Sequence, residues 1–181
     1  MDATKRRIID AATVEYSING IPDTSMQAVA RRADVAPGTV LYHYPDPDDL
    51  TEAVVESWLE DMEPPSADAI SPDDPVETRI GRLVSELYGL YERSETAYRI
   101  YSKSPQHPVL DKYESWWEEN VGQMMHRALG DRVTDDETVR VISVLVNPGF
   151  RGTLVSTGID PGRAVEIAAR MAVDWLEGSP I

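Results

Sequence analysis

Cysteine is absent from the 181 residues, which removes a disulfide framework and any thiolate metal site, so neither an oxidising compartment nor a Cys-type zinc finger is supported. Histidine is scarce: His43, His107 and His126 are all there is. A di-metal carboxylate bundle needs paired Glu-x-x-His motifs, and the nearest approach is Gln123-Met124-Met125-His126. The acidic run Asp46-Pro47-Asp48-Asp49 lacks the glycine and the distal glutamate of a calcium loop. No phosphate-cradling glycine loop and no nucleophile elbow occurs. An enzyme, a metal and a cofactor are therefore not expected. Long apolar runs are missing too: none approaches the roughly 18 residues that span a bilayer, and the N-terminus has no apolar leader stretch. A cytoplasmic, untargeted protein is the expectation.

Positive charge is also in short supply, and its placement matters more than the total. The formal charge is -15, and an acidic protein as a whole does not seek nucleic acid. Up to residue 44, however, Lys5, Arg6, Arg7, Arg31 and Arg32 balance Asp2, Asp10, Glu15, Asp23 and Asp34. The excess lies beyond it, where 12 bases face 27 acids.

What is present reads as helix throughout. Thr4 to Ile18 sets Ile8, Ile9, Ala12 and Tyr16 on one face, and Asn19-Gly20 stops it with residues that tolerate a left-handed backbone. The next segment opens with Thr24 and Gln27 spaced as a capping box and repeats Met26, Val29, Ala30 and Ala33 at helical intervals, leaving Arg31 and Arg32 outside. A third begins at Pro37, where a missing N–H is harmless, and Pro45 limits it to about two turns. The spacing puts Val40, Leu41 and Tyr44 inward and Thr39, Tyr42 and His43 outward. Helix, tight turn, short helix is the helix-turn-helix plan, whose second helix enters the major groove. A helical hairpin with an ordinary wet face has the same spacing.

Acids beside such a helix repel phosphate, yet here they have a local purpose. Asp46 suits an N-cap, Pro47 a first helical position, and Asp48 and Asp49 a first turn, where the macrodipole favours negative charge. That fourth helix runs to about Met62 on Leu50, Val54 and Trp58. Residues 63–76, with four prolines and no apolar period, read as a loop. Helical patterns resume over Val76 to Arg93, Thr96 to Lys103, Val109 to Leu129, Asp135 to Thr157 and Pro161 to Glu177, the fourth of these interrupted at Asn147-Pro148-Gly149. The expected fold is all-α, with about nine helices.

From Lys5 to Trp58, the chain resembles the TetR-type (TetR/AcrR) transcriptional regulators. The resemblance rests on Ile8-Ile9 with Ala11-Ala12, the Gly20 stop, the run TSMQAVARRADVAPGT, and YHYPDPDDL ending at Leu50. It implies an N-terminal three-helix DNA-binding domain over residues 1–46 and a ligand-binding and dimerisation domain over 47–181, with 47–62 as connecting helix. Four positions depart from the family pattern. Asp34 stands for the turn glycine, Ala36 for the capping serine or threonine, Leu41 for a phosphate-contacting tyrosine, and Pro47 for a lysine that touches the DNA backbone.

The implied function is a ligand-responsive repressor that binds a palindromic operator as a homodimer and is released by a small-molecule effector. The resemblance carries base contacts onto Pro37, Thr39, Tyr42 and His43, and phosphate contacts onto Thr24, Ser25, Tyr42 and the basic Lys5-Arg6-Arg7 stretch. Arg31 and Arg32 are further candidates. Effector contacts are expected among Tyr88, Tyr91, Tyr98, Tyr101, Tyr113, Trp116, Trp117 and Met124, a set whose spacing equally suits core packing; phenols and indoles near Glu118 and Glu119 suit an aromatic, lipophilic or cationic molecule. The last two helices, with Ala164, Val165, Ala168, Ala169, Ala172 and Trp175, would pair across the dimer axis or pack within the chain. The alternative is a binding protein on this fold with weakened DNA binding, supported by the missing lysine, the missing cap and the negative field.

Overall fold

Proline sets much of the architecture. The helices are α1 (Ala3–Asn19), α2 (Met26–Ala33), α3 (Pro37–His43), α4 (Pro47–Met62) and α5 (Val76–Arg93). They continue with α6 (Glu95–Lys103), α7 (Pro108–Leu129), α8 (Asp136–Leu145), α9 (Pro148–Ser156) and α10 (Pro161–Gly178). In α3, α4, α7, α9 and α10 the first residue is proline, whose fixed φ starts a helix and whose missing donor is not needed there. The computed structural model describes residues 2–62 and 65–178, without the side chains of Asp61, Met62, Lys112, Tyr113, Ser115 and Trp116. Among the described residues the regular structure is all helical, with ten α-helices and two 3-10 turns, Ala67–Ala69 and Gly130–Thr134. The segment over Asp135 to Thr157 is two helices because Asn147 accepts from the Gly149 N–H at 2.8 Å and opens α9 before Pro148.

The chain forms two compact units, Met1–Glu63 with Ser94–Ser115, and Pro64–Arg93 with Trp116–Ile181. In the first, α1 packs on α2, α4 and α6, burying Ile8, Ala12, Ala30, Val40, Leu50, Val54 and Ile100 completely. The end of α6 is fastened to the end of α1. Lys103 Nζ donates to the carbonyls of Ser17 at 3.0 Å and Ile18 at 2.6 Å, which satisfies carbonyls that a helix end leaves without partners. The Ile21 N–H donates to the buried Ser104 Oγ at 2.8 Å. Between them lies Gly20 at φ 84°, where an added Cβ would come within 2.8 Å of the Lys103 carbonyl oxygen.

In the second unit α10 lies on α5, α8 and α9. Ala164, Ala168, Ala172 and Leu176, one turn apart, are buried along that contact, and small residues in a four-residue row let helix axes approach closely. The three alanines therefore serve the core of the chain itself, while Val165, Ala169 and Trp175 are half-buried. Residues 65–76 are less of a free loop than their prolines suggest, because the first 3-10 turn sinks Ala67 and Ile70 into this core.

Tyr88 is 1 % exposed, and its hydroxyl donates to the Leu145 carbonyl at 2.7 Å, near the end of α8. Burial pushes its pKa up to about 12. The folded chain thus holds the protonated phenol more firmly than the unfolded chain does, so this contribution is complete below pH 10 and is lost between pH 10 and about 12. Tyr88→Phe is expected to lower stability by about 1–2 kcal/mol at neutral pH, the usual cost of stranding a buried acceptor. It should also flatten the alkaline fall in stability measured by urea unfolding between pH 10 and about pH 12, the tyrosine's ordinary and raised values.

Candidate nucleic-acid interface

Three contacts fix where α3 sits. Ser25 Oγ accepts from the Ala28 N–H at 3.2 Å and caps α2. The cap is thus Ser25 rather than Thr24, whose hydroxyl instead donates to the Gly20 carbonyl at 2.7 Å, so the Thr24–Gln27 capping box does not form. At the other end of α2, Asp34 takes the left-handed conformation at φ 53°, ψ 52°, as a substitute for a turn glycine must. Its carbonyl and that of Ala33 both accept from Arg7 Nη2. Below α3, Asp46 accepts from the Asp48 N–H at 3.0 Å while Asp49 accepts from the Asp46 N–H at 3.3 Å. The acids after the short helix thus form a reciprocal cap for α4.

On α3 itself, Val40 is fully buried and Tyr44 is 7 % exposed. Leu41, expected beside them, instead stands 49 % exposed. The reason is angular: Val40 and Tyr44 are one turn apart, whereas a residue following Val40 is rotated by about 100° away from the inner face. Tyr42 is 81 % exposed, and Pro37 and Gly38 are exposed with it. Thr39 and His43 are half-buried at the flank. His43 Nε2 lies 4.0 Å from the Asp2 carboxylate, and its ring meets that of Tyr42 edge-on at 5.2 Å.

The basic stretch is part of the first turns of α1, and two of its members are engaged within the fold. Arg6 pairs with Asp10 at 3.1 Å. Arg7 closes the end of α2, as above, and Arg32 pairs with Glu15 at 2.7 Å. Lys5 and Arg31 are exposed. Lys5 borders a shallow recess with Tyr44, Glu56 and Glu60.

The expected effector residues fall in both units. Tyr98 and Tyr101 lie on α6, both exposed, with the Tyr101 hydroxyl 2.5 Å from Glu114. Tyr88 and Met124 are fully buried in the core of the other unit, where Tyr91 and Trp117 are half-buried. Tyr113 and Trp116 lie outside the residues whose side chains are described. An open groove of about 1150 Å³ near the end of α10 is lined by Arg79, Arg132, Asp135, Thr138 and Trp175, not by these aromatics. Among the described residues no three His, Asp or Glu side chains gather into a metal-holding group, and no helix is long and apolar enough to cross a membrane.

Comparison with known proteins gives this arrangement its place. Residues 8–54 match the family described as bacterial regulatory proteins, tetR family. The uncharacterised HTH-type transcriptional regulator TtgW of Pseudomonas putida is 35 % identical over 60 residues, 33 % of this chain and 45 % of that protein. The chain spans about half the length of the curated relatives it matches. Among solved structures, a member of the TetR family from Streptomyces coelicolor is 25 % identical, with 93 % of this chain and 98 % of that one covered and a TM-score of 0.63. The multidrug binding protein EbrR, crystallised with ethidium, is 28 % identical, covering 93 % and 97 % with a TM-score of 0.55. The matched segment contains α2 and α3 whole, with the Asp34 turn and most of α1 around them, and the likeness in fold extends along nearly the full chain: residues 8–54 carry the segment typical of the tetR family of bacterial regulatory proteins, and the whole chain is similar in fold to a member of that family.

Proposed function

We propose that the protein is a ligand-responsive DNA-binding transcriptional regulator of the cytoplasm, a repressor that binds a palindromic operator as a homodimer and is released by a small-molecule effector. The observation that carries this reading is the exposed outer face of α3, with Tyr42 81 % exposed on a two-turn helix whose other side is locked into the core. In this reading residues 1–46 read DNA, α4 connects, and the remainder up to 181 takes the effector and dimerises. Pro37, Thr39, Tyr42 and His43 contact bases, and Thr24, Ser25, Lys5 and Arg31 the backbone. Arg6 and Arg7 serve chiefly to hold α1 and α2. Dimerisation involves α8 and α10, whose outer surfaces carry Val144 at 61 % and Met171 at 45 % exposure.

The effector is aromatic, lipophilic or cationic. The aromatic set from Tyr88 to Trp117, with Met124, supports that class, as does the ethidium held by EbrR. In the first unit Tyr98 and Tyr101 are exposed, and in the second Tyr91 and Trp117 are half-buried, while Tyr88 and Met124 lie in the core of the second unit.

A second reading, a binding protein that has lost tight DNA recognition, draws on the engagement of Arg6, Arg7 and Arg32 inside the fold. Selection of the purified protein against a random duplex library at two salt concentrations separates the two. The expected result is an inverted repeat, bound with a slope of log affinity against log salt of about -4, from Lys5 and Arg31 in each of two subunits at about -0.9 per neutralised phosphate. An unenriched library would move the function to the second reading.

A further inference from the structure

One flank of the outer face of α3 has no hydrogen-bonding side chain. At about 100° per residue, the direction opposite the buried Val40 and Tyr44 falls on Tyr42, and Gly38 and Leu41 follow one another on one flank of it. Tyr42, at the centre, carries a hydroxyl, and the flank formed by Gly38 and Leu41 has no side-chain donor or acceptor. Thr39 and His43 sit farther round, half-buried. Leu41 keeps 49 % of its surface in water, although it adjoins Val40, which is fully buried.

Gly38 adds an independent observation. A Cβ built on it would meet nothing of the protein within 4 Å, and its backbone lies in an ordinary helix. Nothing inside the fold requires a glycine there, and glycine weakens a helix relative to alanine. A bare backbone on that exposed flank allows another surface to come close, and it leaves the neighbouring Leu41 side chain free to lie against that surface.

Resting on the DNA-reading function proposed above, we infer that Leu41 is a specificity-determining residue that recognises the C5-methyl group of thymine. In the major groove the methyl group is the apolar feature among base edges otherwise made of donors and acceptors. An arginine or asparagine reads a base by paired hydrogen bonds; a leucine beside a glycine has only shape and apolar contact to offer. Leu41 therefore discriminates by burying its isobutyl group against the methyl and excluding water from both.

The test uses duplexes of the selected operator in which each half-site thymine is replaced singly by uracil, which keeps the O4 acceptor and lacks only the methyl. Binding is measured by fluorescence anisotropy for the full chain and for Leu41→Ala. One thymine in each half-site is expected to stand out, with uracil there weakening the full chain about fourfold per half-site, the loss of about one buried methyl. Leu41→Ala should bind the thymine and uracil duplexes equally. Gly38→Ala should fold at least as stably as the parent yet bind every operator duplex more weakly, a split that a purely structural glycine would not produce. A flat uracil scan on a well-bound operator, or a uracil loss that persists in Leu41→Ala, overturns this inference alone. Failure to select any operator overturns the DNA-reading function and the inference together.

Discussion

Gly20→Ala is expected to destabilise the first unit by about 3 kcal/mol, combining a left-handed backbone cost of about 1–2 kcal/mol with an overpacking cost of about 1–3 kcal/mol. Gly20 has φ 84°, and the atom nearest to an added Cβ is the Lys103 carbonyl oxygen at 2.8 Å, a backbone atom that cannot swing aside. Relief would require α6 to draw back from α1. That movement would also lengthen the bonds from Lys103 Nζ to Ser17 and Ile18 and from Ile21 N–H to Ser104. Thermal unfolding should show a fall of roughly 10 °C, at about 2–4 °C per kcal/mol for a chain of this size. Lys103→Met tests the same joint from the other side. It removes the charge and keeps most of the apolar stem, so a smaller loss is expected, about 1–2 kcal/mol for two hydrogen bonds that are partly exposed. A Gly20→Ala protein as stable as the parent would show that α6 does not bear on α1 as tightly as the distances require.

Much of this joint was legible in the sequence, though only one half of it. Asn19-Gly20 announces the end of α1, and the helix does end there. The tolerance of Asp34 for the left-handed region is readable in the same way, as are the starts of α3, α4 and α10 from their prolines and the break at Asn147-Pro148-Gly149. Such signals are local: a backbone preference, a missing donor or a carboxylate next to orphan N–H groups acts within a few residues. What the spacing could not give was the partner. That Gly20 meets Lys103, and that α6 folds with α1–α4, depends on contacts 83 or more residues apart in the chain.

The same distinction runs through the candidate site. The outward position of Tyr42 followed from helical spacing and is met. Leu41 was assigned inward because it is apolar, when its angle to Val40 already placed it outside; residue type prevailed over geometry in that assignment. The small residues of α10 leave two alternatives open. Ala164, Ala168 and Ala172 mark a close helix contact correctly, but alanine spacing does not say whether the approaching helix is α5 of the same chain or a helix of another. Aromatic residues are the least legible. Tyr88 is a core residue with its hydroxyl satisfied, whereas Tyr98 is half exposed, and nothing in their spacing separates them.

Tyr42→Ala is expected to weaken operator binding about 10- to 100-fold, corresponding to about 1–3 kcal/mol for a large aromatic anchor at the centre of an interface. With 81 % of its surface exposed, the side chain contributes little to the core, and alanine is the better helix former. Helix content by circular dichroism and the dimer by sedimentation should therefore be unchanged. Three comparisons give the loss its meaning. Tyr42→Phe retains the ring and removes the hydroxyl, so a phenylalanine that recovers most of the affinity assigns the energy to apolar contact, in line with the character of the rest of the face. His43→Ala should cost less in binding, because the imidazole is half-buried and directed toward Asp2, and any loss should be accompanied by a change in stability. The slope of log affinity against log salt should match the parent in both Tyr42 variants, since the Tyr42 side chain neutralises no phosphate. A Tyr42→Ala protein that binds its operator as the parent does, or one that falls apart as a dimer, would show that this exposed face of α3 is not the surface that meets DNA.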